Sequence, residues 1–237
     1  KKHKKIILED NYRSTQNIIN AVNKTIKSMK FKISKKLKCT KEKGEKIIIQ
    51  GFEYIEEEID YIIDNVKKIR KKEPLHEIAI LVRTNYMGKD IEREFIRNRI
   101  PCHLSKSKGF FEREETKDIL SYLNLLVNPN SSVDFERLIK ILPGVGKVSI
   151  SKIHDFALKN NLNYIEILEK IDFININDQI KYSLRIILDS INESGNPIEI
   201  LLKNINYLKI LENKYRNEEL KLEDKFENIK LVLDLYR

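Results

Sequence analysis

Tyr12 and Arg13 are adjacent where a short apolar run, Ile6-Ile7-Leu8, gives way to a helical pattern marked by Ile18, Ile19, Val22, Ile26 and Met29. An aromatic ring is a stacking surface and a guanidinium is a fork for phosphate oxygens, so the pair suits a nucleotide. Ser14 reads as the helix N-cap, which puts both residues at a strand's C-terminal end, the edge where open α/β sheets bind ligands. A packed ring beside a solvated arginine would use the same two residues without a ligand. A second constellation, Leu142-Pro143-Gly144-Val145-Gly146-Lys147, separates two apolar helical patterns. Two glycines allow a tight turn, and the next helix, capped by Ser149 or Ser151, opens with unpaired N–H groups that can hold a phosphate. Lys147 and Lys152 add positive charge there. This is the shape of a helix-hairpin-helix element that grips a duplex backbone without reading bases, and a plain helix–helix turn is the alternative.

Other chemistries lack their residues. Cys39 and Cys102 are far apart and outside any Cys-x-x-Cys pattern, so free thiols in a reducing compartment are expected. His3, His76, His103 and His154 are isolated, and no metal site is expected. There is no G-x-x-x-x-G-K-[ST]: Gly146-Lys147-Val148 lacks both the earlier glycine and the hydroxyl residue. No acidic run of the Walker B kind is present either.

The elements that must carry these residues change character along the chain. Residues 6–8, 47–49, 78–82 and 100–104 read as strands. Between them Ile55, Ile59, Ile62, Ile63 and Val66 mark one helix, and Ile91, Phe95 and Ile96 another. That alternation implies parallel pairing with right-handed crossovers, as in a doubly wound sheet. After Phe110 the strand signal disappears. Acids at Glu112, Glu114 and Glu115 load a helix start, and helical patterns follow at about 132–142, 149–160, 163–170, 177–194, 197–205, 207–219 and 222–236. Lysine-rich residues 30–46 read as a solvated connection.

With 237 residues and 41% hydrophobic content, the chain can bury a sizeable core. Its net charge of +9 points to a polyanionic partner, and the charge is uneven. Residues 1–110 hold 27 Lys and Arg against 15 Asp and Glu, whereas residues 111–237 hold 18 against 21. There is no signal peptide and no apolar run near the ~20 residues of a membrane span, so no membrane partner is expected. The start, Lys1-Lys2-His3-Lys4-Lys5 without Met, suggests a piece of something longer.

Leu8-Glu9-Asp10-Asn11-Tyr12-Arg13-Ser14 resembles the L-x-x-N-Y-R-S motif in the second motor domain of superfamily 1 helicases of the UvrD/Rep type. Leu81-Val82-Arg83-Thr84-Asn85 resembles the family's L-x-R-[ST]-N, and residues 110–118 resemble its F-F-x-R-x-E-I-K-D helix start. Tyr122-Leu123-x-Leu125, Asn128-Pro129 and Phe135-Glu136-Arg137-Leu138-Ile139 continue in the family's order. The resemblance covers about residues 5–160 well and the last third as a helical pattern.

The resemblance implies a partial RecA-like parallel sheet in residues 1–108, the first part of the second motor domain, followed by an all-α insertion domain in residues 109–237. It implies that Tyr12 stacks on adenine and that Arg13, the catalytic residue, reaches the γ-phosphate of ATP held by another domain. Arg83, Thr84 and Asn85 are implied to hold single-stranded DNA, with an Arg83 to glutamate ion pair as the alternative. Gly144, Val145, Gly146, Lys147 and Lys152 lie where the family contacts duplex, although the chain is one residue shorter there and lacks the basic residue often found before the glycines. The family commonly has paired glycines before F-F-x-R; Lys106-Ser107-Lys108-Gly109 leaves Gly109 alone to supply positive-φ freedom at the join.

The implied whole is an ATP-dependent DNA helicase, probing single strands and single-strand/duplex junctions, 3′ to 5′, in repair or replication, intracellular and with DNA. ATP and Mg²⁺ are its implied cofactors, neither expected on these residues alone, which should be inactive without a P-loop. Repair or replication proteins are implied partners, and an open sheet edge would allow self-association. Two other readings stand beside it: the motor of a helicase–nuclease complex, and a non-catalytic DNA-binding or partner-binding module that keeps the fold.

Overall fold

Helical periodicity is the strongest pattern in the chain, and helices dominate the computed structural model, which describes residues 6–29, 35–105 and 107–236. Expectations on residues 1–5, including His3, on residues 30–34 of the lysine-rich connection and on Lys106 lie outside the described residues. The chain divides into two compact units, Lys1–Ile62 and Ile63–Arg237.

The first unit holds a small parallel sheet. β1 (Asp10–Asn11) pairs with β2 (Lys38–Cys39), Asp10 opposite Lys38 and Asn11 opposite Cys39, and α1 (Gln16–Ser28) connects them. A helix between parallel strands is the expected crossover. Asn23 on α1 docks the returning chain: its Nδ2 donates to the Leu37 carbonyl at 2.9 Å and its Oδ1 accepts from the Leu37 N–H at 3.0 Å. Of the expected α1 face, Ile19 is buried, Val22 and Ile26 are half-buried, and Ile18 and Met29 are exposed. The N-cap is Thr15, not Ser14, and its side chain makes no capping bond. The reason is local: the N–H groups of Gln16 and Asn17 already donate to the Glu42 and Lys43 carbonyls, each at 3.0 Å. Gly44 makes that return close, with φ +69° and no room for a Cβ against Thr15. α2 (Ile55–Ile69) begins in this unit and ends in the next, its buried stripe being Ile59, Ile63 and Val66.

Among the described residues β1 and β2 form the whole sheet, and none of the runs 6–8, 47–49, 78–82 or 100–104 joins it. Ile49 and Leu81 are 92% and 95% exposed. A strand exists where a neighbour completes its ladder, and β-rich composition alone supplies no neighbour.

Among its described residues the second unit holds helices and no strand. It contains α3 (Asn85–Arg97), α4 (Glu114–Val127), α5 (Ser132–Lys140), α6 (Lys147–Asn160), α7 (Tyr164–Glu169), α8 (Asp178–Asn192), α9 (Pro197–Asn204), α10 (Tyr207–Lys214) and α11 (Glu219–Tyr236). Asparagine places several of the boundaries. Asn163 closes a capping box with Glu166, Asn177 and Asn196 accept from the first turns of α8 and α9, and Asn161 ends α6 in the left-handed conformation. Fully buried Phe135, Leu138, Ile153, Ile167, Leu184 and Leu231 belong to one hydrophobic core shared by these helices. Gly109 has φ −58° and precedes a single 3-10 turn, Phe110–Glu112, so it does not supply the expected positive φ. Among the described residues no helix is long and apolar enough to cross a membrane.

Candidate nucleotide and nucleic-acid sites

The loop after β1 is shaped by Asn11. Its Oδ1 accepts from the backbone N–H groups of Arg13 at 3.1 Å and Ser14 at 2.8 Å, an Asx-type turn that leaves both following side chains pointing outward. Tyr12 is 72% exposed, Arg13 is exposed, and neither side chain bonds to a described residue. An exposed ring and an exposed guanidinium on one braced loop offer a stacking surface beside a fork for anionic oxygens. The start of α1 does not add a phosphate cradle, because Glu42 and Lys43 occupy its N–H groups. Among the described residues no cluster of three or more His, Cys, Asp or Glu could hold a metal ion.

Arg83, Thr84 and Asn85 are consecutive and exposed at the start of α3. Thr84 is the N-cap, its hydroxyl accepting from the Met87 N–H at 3.4 Å. Arg83 makes no ion pair with any described residue, so its charge is available to a ligand. Behind this start Gly88 is buried, and a Cβ there would lie 2.7 Å from the Leu104 side chain.

The turn between α5 and α6 has the conformation its residues imply. The Val145 N–H reaches the Leu142 carbonyl at 3.5 Å around Pro143 and Gly144, with Gly144 at φ +81°, as glycine at the third position of a type II turn requires. Gly146 is the N-cap and α6 starts at Lys147, so Ser149 and Ser151 lie inside the helix and cap nothing. Gly146 supplies no side-chain capping bond, and Lys147 is exposed without a partner among the described residues. The first N–H groups of α6 are therefore open, beneath a turn with little side-chain bulk. Lys152, one turn on, is also exposed, but its ammonium donates to the Asn175 carbonyl at 2.8 Å.

A third group of residues carried no expectation of a joint role. Arg113, Glu115 and Asp118 of the helix-start motif are buried and polar, as are Glu92, Arg93 and Asn228. Arg113 pairs with Glu92 and donates to Asn228 Oδ1 at 2.6 Å. Lys225 reaches Glu115 at 2.7 Å, and Arg93 reaches Asp224 at 2.9 Å. Asp118 accepts from the Tyr207 hydroxyl at 2.7 Å and pairs with Arg137 at 2.8 Å. Burial pushes the Asp118 carboxyl up despite both partners, whereas Lys89 and Arg93 hold Asp224 below its ordinary value against the burial that raises it. The available signal was charge at core spacing: Glu92 lies three residues before Phe95, and Glu115 four before Ile119.

The UvrD-like helicase C-terminal domain matches residues 6–234 and so reaches through the helical last third. The ATP-dependent DNA helicase PcrA of Staphylococcus epidermidis is 35% identical over 181 residues, covering 75% of this chain and 25% of that protein. The protein of the same description from Staphylococcus aureus is 33% identical over 177 residues, 74% of this chain and 24% of its own length. The chain thus spans about a quarter of the length of the curated relatives it matches. A family match over nearly every residue, on a chain whose α/β first part is followed by helices, places this chain in the UvrD-like helicase C-terminal domain family.

Proposed function

We propose that this chain is the ATP-sensing and DNA-holding part of an ATP-dependent DNA helicase, with residues 1–108 contributing to the second RecA-like motor domain and residues 109–237 forming its helical insertion. The observation that carries the DNA reading is the open N-terminus of α6, where Gly144, Val145, Gly146 and exposed Lys147 leave backbone N–H groups free for a duplex phosphate. Lys152 adds charge at that end. Arg83, Thr84 and Asn85 hold a single strand through phosphate and sugar, a grip that is firm and indifferent to base identity. Such a grip suits translocation, which in this reading runs 3′ to 5′ and serves repair or replication. The work is done beside DNA, at junctions of single strand and duplex.

Tyr12 stacks on the base of ATP, and Arg13 reaches its γ-phosphate from across a cleft, so that charge developing during phosphoryl transfer is met only when the cleft closes. The P-loop and Mg²⁺ belong to residues outside these 237, and these residues alone hydrolyse nothing. The test has two arms. For the chain itself, anisotropy titrations should show binding to single-stranded and forked oligonucleotides; Gly144→Ala/Lys147→Glu should weaken the fork and spare the single strand, and Arg83→Ala should weaken the single strand and lower its salt dependence. No binding by the wild-type chain would refute the DNA reading. In the intact enzyme, unchanged ATP turnover in Arg13→Ala would refute the sensor role.

A further inference from the structure

The chain leaving β2 runs along the loop that carries Arg13. Asp10 faces Lys38 and Asn11 faces Cys39 across the ladder, so Arg13 and Lys41, each two residues further on, leave the same end of neighbouring parallel strands. Adjacent strands are about 5 Å apart, and this C-terminal edge is where open α/β sheets bind ligands. Side-chain and backbone bonds hold the second loop against the first. The Thr40 hydroxyl and N–H both donate to the Asn11 carbonyl, at 3.0 and 3.2 Å. The Cys39 sulfur lies 3.3 Å from the Ser14 carbonyl and accepts from the Lys41 N–H at 3.2 Å, so one thiol touches the backbone of both loops. Just after Lys41, the Glu42 carbonyl accepts from the Gln16 N–H at 3.0 Å. Lys41 is thus tied on both sides to residues 11–16, with Arg13 inside that stretch.

A triphosphate arriving at Arg13 carries more negative charge than one guanidinium can meet. The first amides of α1 are no help, because the Glu42 and Lys43 carbonyls already occupy them. Nearby lysines differ in what is left to them. Lys38 is committed to Glu9 at 3.2 Å. Lys43 sits beside Asn17, inside the first turn of α1 and away from the sheet edge. Lys41 is exposed, and its ammonium has no partner among the described residues. An ammonium on a flexible stem acts as a point charge that follows phosphate oxygens, whereas Arg13 is held on a braced loop.

We infer that Lys41 is a second phosphate-binding residue of the nucleotide site, its ammonium meeting the oxygens of the same triphosphate whose terminal phosphate Arg13 reaches. The inference rests on the nucleotide reading of Tyr12 and Arg13 above. The two cations divide the work. A flexible ammonium serves bound ATP and the transition state alike and so lowers KM, while Arg13 meets charge that develops only during transfer and so raises kcat.

The intact enzyme tests this by ATP kinetics and by calorimetric binding of adenosine and of a β,γ-imido analogue of ATP. Lys41→Met keeps the stem and removes the charge at an exposed position, so the fold is not at risk. It should raise the KM for ATP and the Kd of the analogue by ~10-fold, with kcat and adenosine affinity within about twofold of wild type. Lys41→Arg, which restores the charge, should recover most of the loss. Lys35→Met removes the same charge before β2, at the opposite end of the strand, and should change neither constant. An unchanged Kd for the analogue in Lys41→Met would overturn the inference. Equal weakening in Lys35→Met would overturn it too, by showing a general field of positive charge in place of a contact. Arg13→Ala tells the two readings apart. Slower turnover in Arg13→Ala with an unchanged Kd in Lys41→Met removes Lys41 and leaves the sensor standing, whereas no change in binding or turnover in either variant refutes the nucleotide reading itself.

Discussion

The side-chain oxygen of Asn11 accepts a hydrogen bond from the backbone N–H of Arg13 at 3.1 Å, while the arginine's own side chain stays exposed and has no partner among the described residues. The loop is braced from within, so that Arg13 is available yet not free to wander. Asn11→Ala removes this bond and the one to Ser14 together. Loss of a comparable side-chain cap costs about 1 kcal/mol, so amide exchange at Arg13 and Ser14 should accelerate by about fivefold. Unchanged exchange at both amides would show that the asparagine does not shape the loop.

The two glycines of the α5–α6 turn should separate folding from binding. Gly144 is in the left-handed region at φ +81°, so Gly144→Ala should destabilise the second unit by about 1–2 kcal/mol, read as a lower urea midpoint. Gly146 is at φ −114°, and a Cβ there meets nothing within 4 Å. Gly146→Ala should therefore leave the midpoint in place and weaken binding to a forked duplex, because only an approaching ligand would collide with the methyl group. Equal fork affinity in Gly146→Ala and wild type would remove this turn from the DNA contact.

Glu92 and Arg113 form a buried pair, each under 10% exposed. Removing one partner strands the other, and Glu92→Gln or Arg113→Met should each cost about 3–5 kcal/mol. The double variant should cost clearly less than the two singles together, because no uncompensated charge remains. Urea unfolding of the four proteins measures the coupling; simple additivity would mean that the pair is not a unit.

The same network sets a pH window. Lys89 and Arg93 hold Asp224 below its ordinary value although burial opposes them, and Lys214 and Tyr215 do the same for Glu114. Lowered carboxylates add stability that is present above their unfolded values and lost as pH falls through the folded ones, so stability should drop on acidification below about pH 4. Asp118, raised by burial, works the other way just above its ordinary 3.8 and should blunt that drop. At the alkaline end, Glu115 holds Lys225 above its ordinary 10.5 against burial, and burial with Asp118 raises Tyr207. Stability from these groups is complete below the unfolded values and declines above about pH 10. Thermal melts from pH 3 to 11 should show both shoulders. Asp224→Asn should flatten the acidic one, and an unaltered acidic slope in that variant would rule out its contribution.

Helices, and those of their boundaries that asparagine caps, were readable because their determinants are local; the starts of α1 and α6 were not, since tertiary contacts and a glycine turn set them. The spacing of Leu138, Ile139 and Leu142 or of Leu184 and Ile187 marks a buried face, and Asn163, Asn177 and Asn196 cap within three residues of themselves. Exposure of Arg13, Arg83 and Lys147 also followed from their place at element ends. The strands did not follow: residues 78–82 and 100–104 have strand composition, but ladder partners are not encoded in a run's own residues.

By itself, then, the sequence determined that helices follow one another after Phe110, where asparagine begins several of them, and which motifs tie the chain to its family, all matters of spacing within a few residues. Only the tertiary structure decided that Thr84 caps α3, that Lys152 is held by the Asn175 carbonyl, and that Arg113 and Asn228, 115 residues apart, share a hydrogen bond in the core. The physical reason is that burying a charge is tolerable only where opposite charge and hydrogen-bond partners arrive from elsewhere in the chain, and which residues arrive is set by how the helices pack.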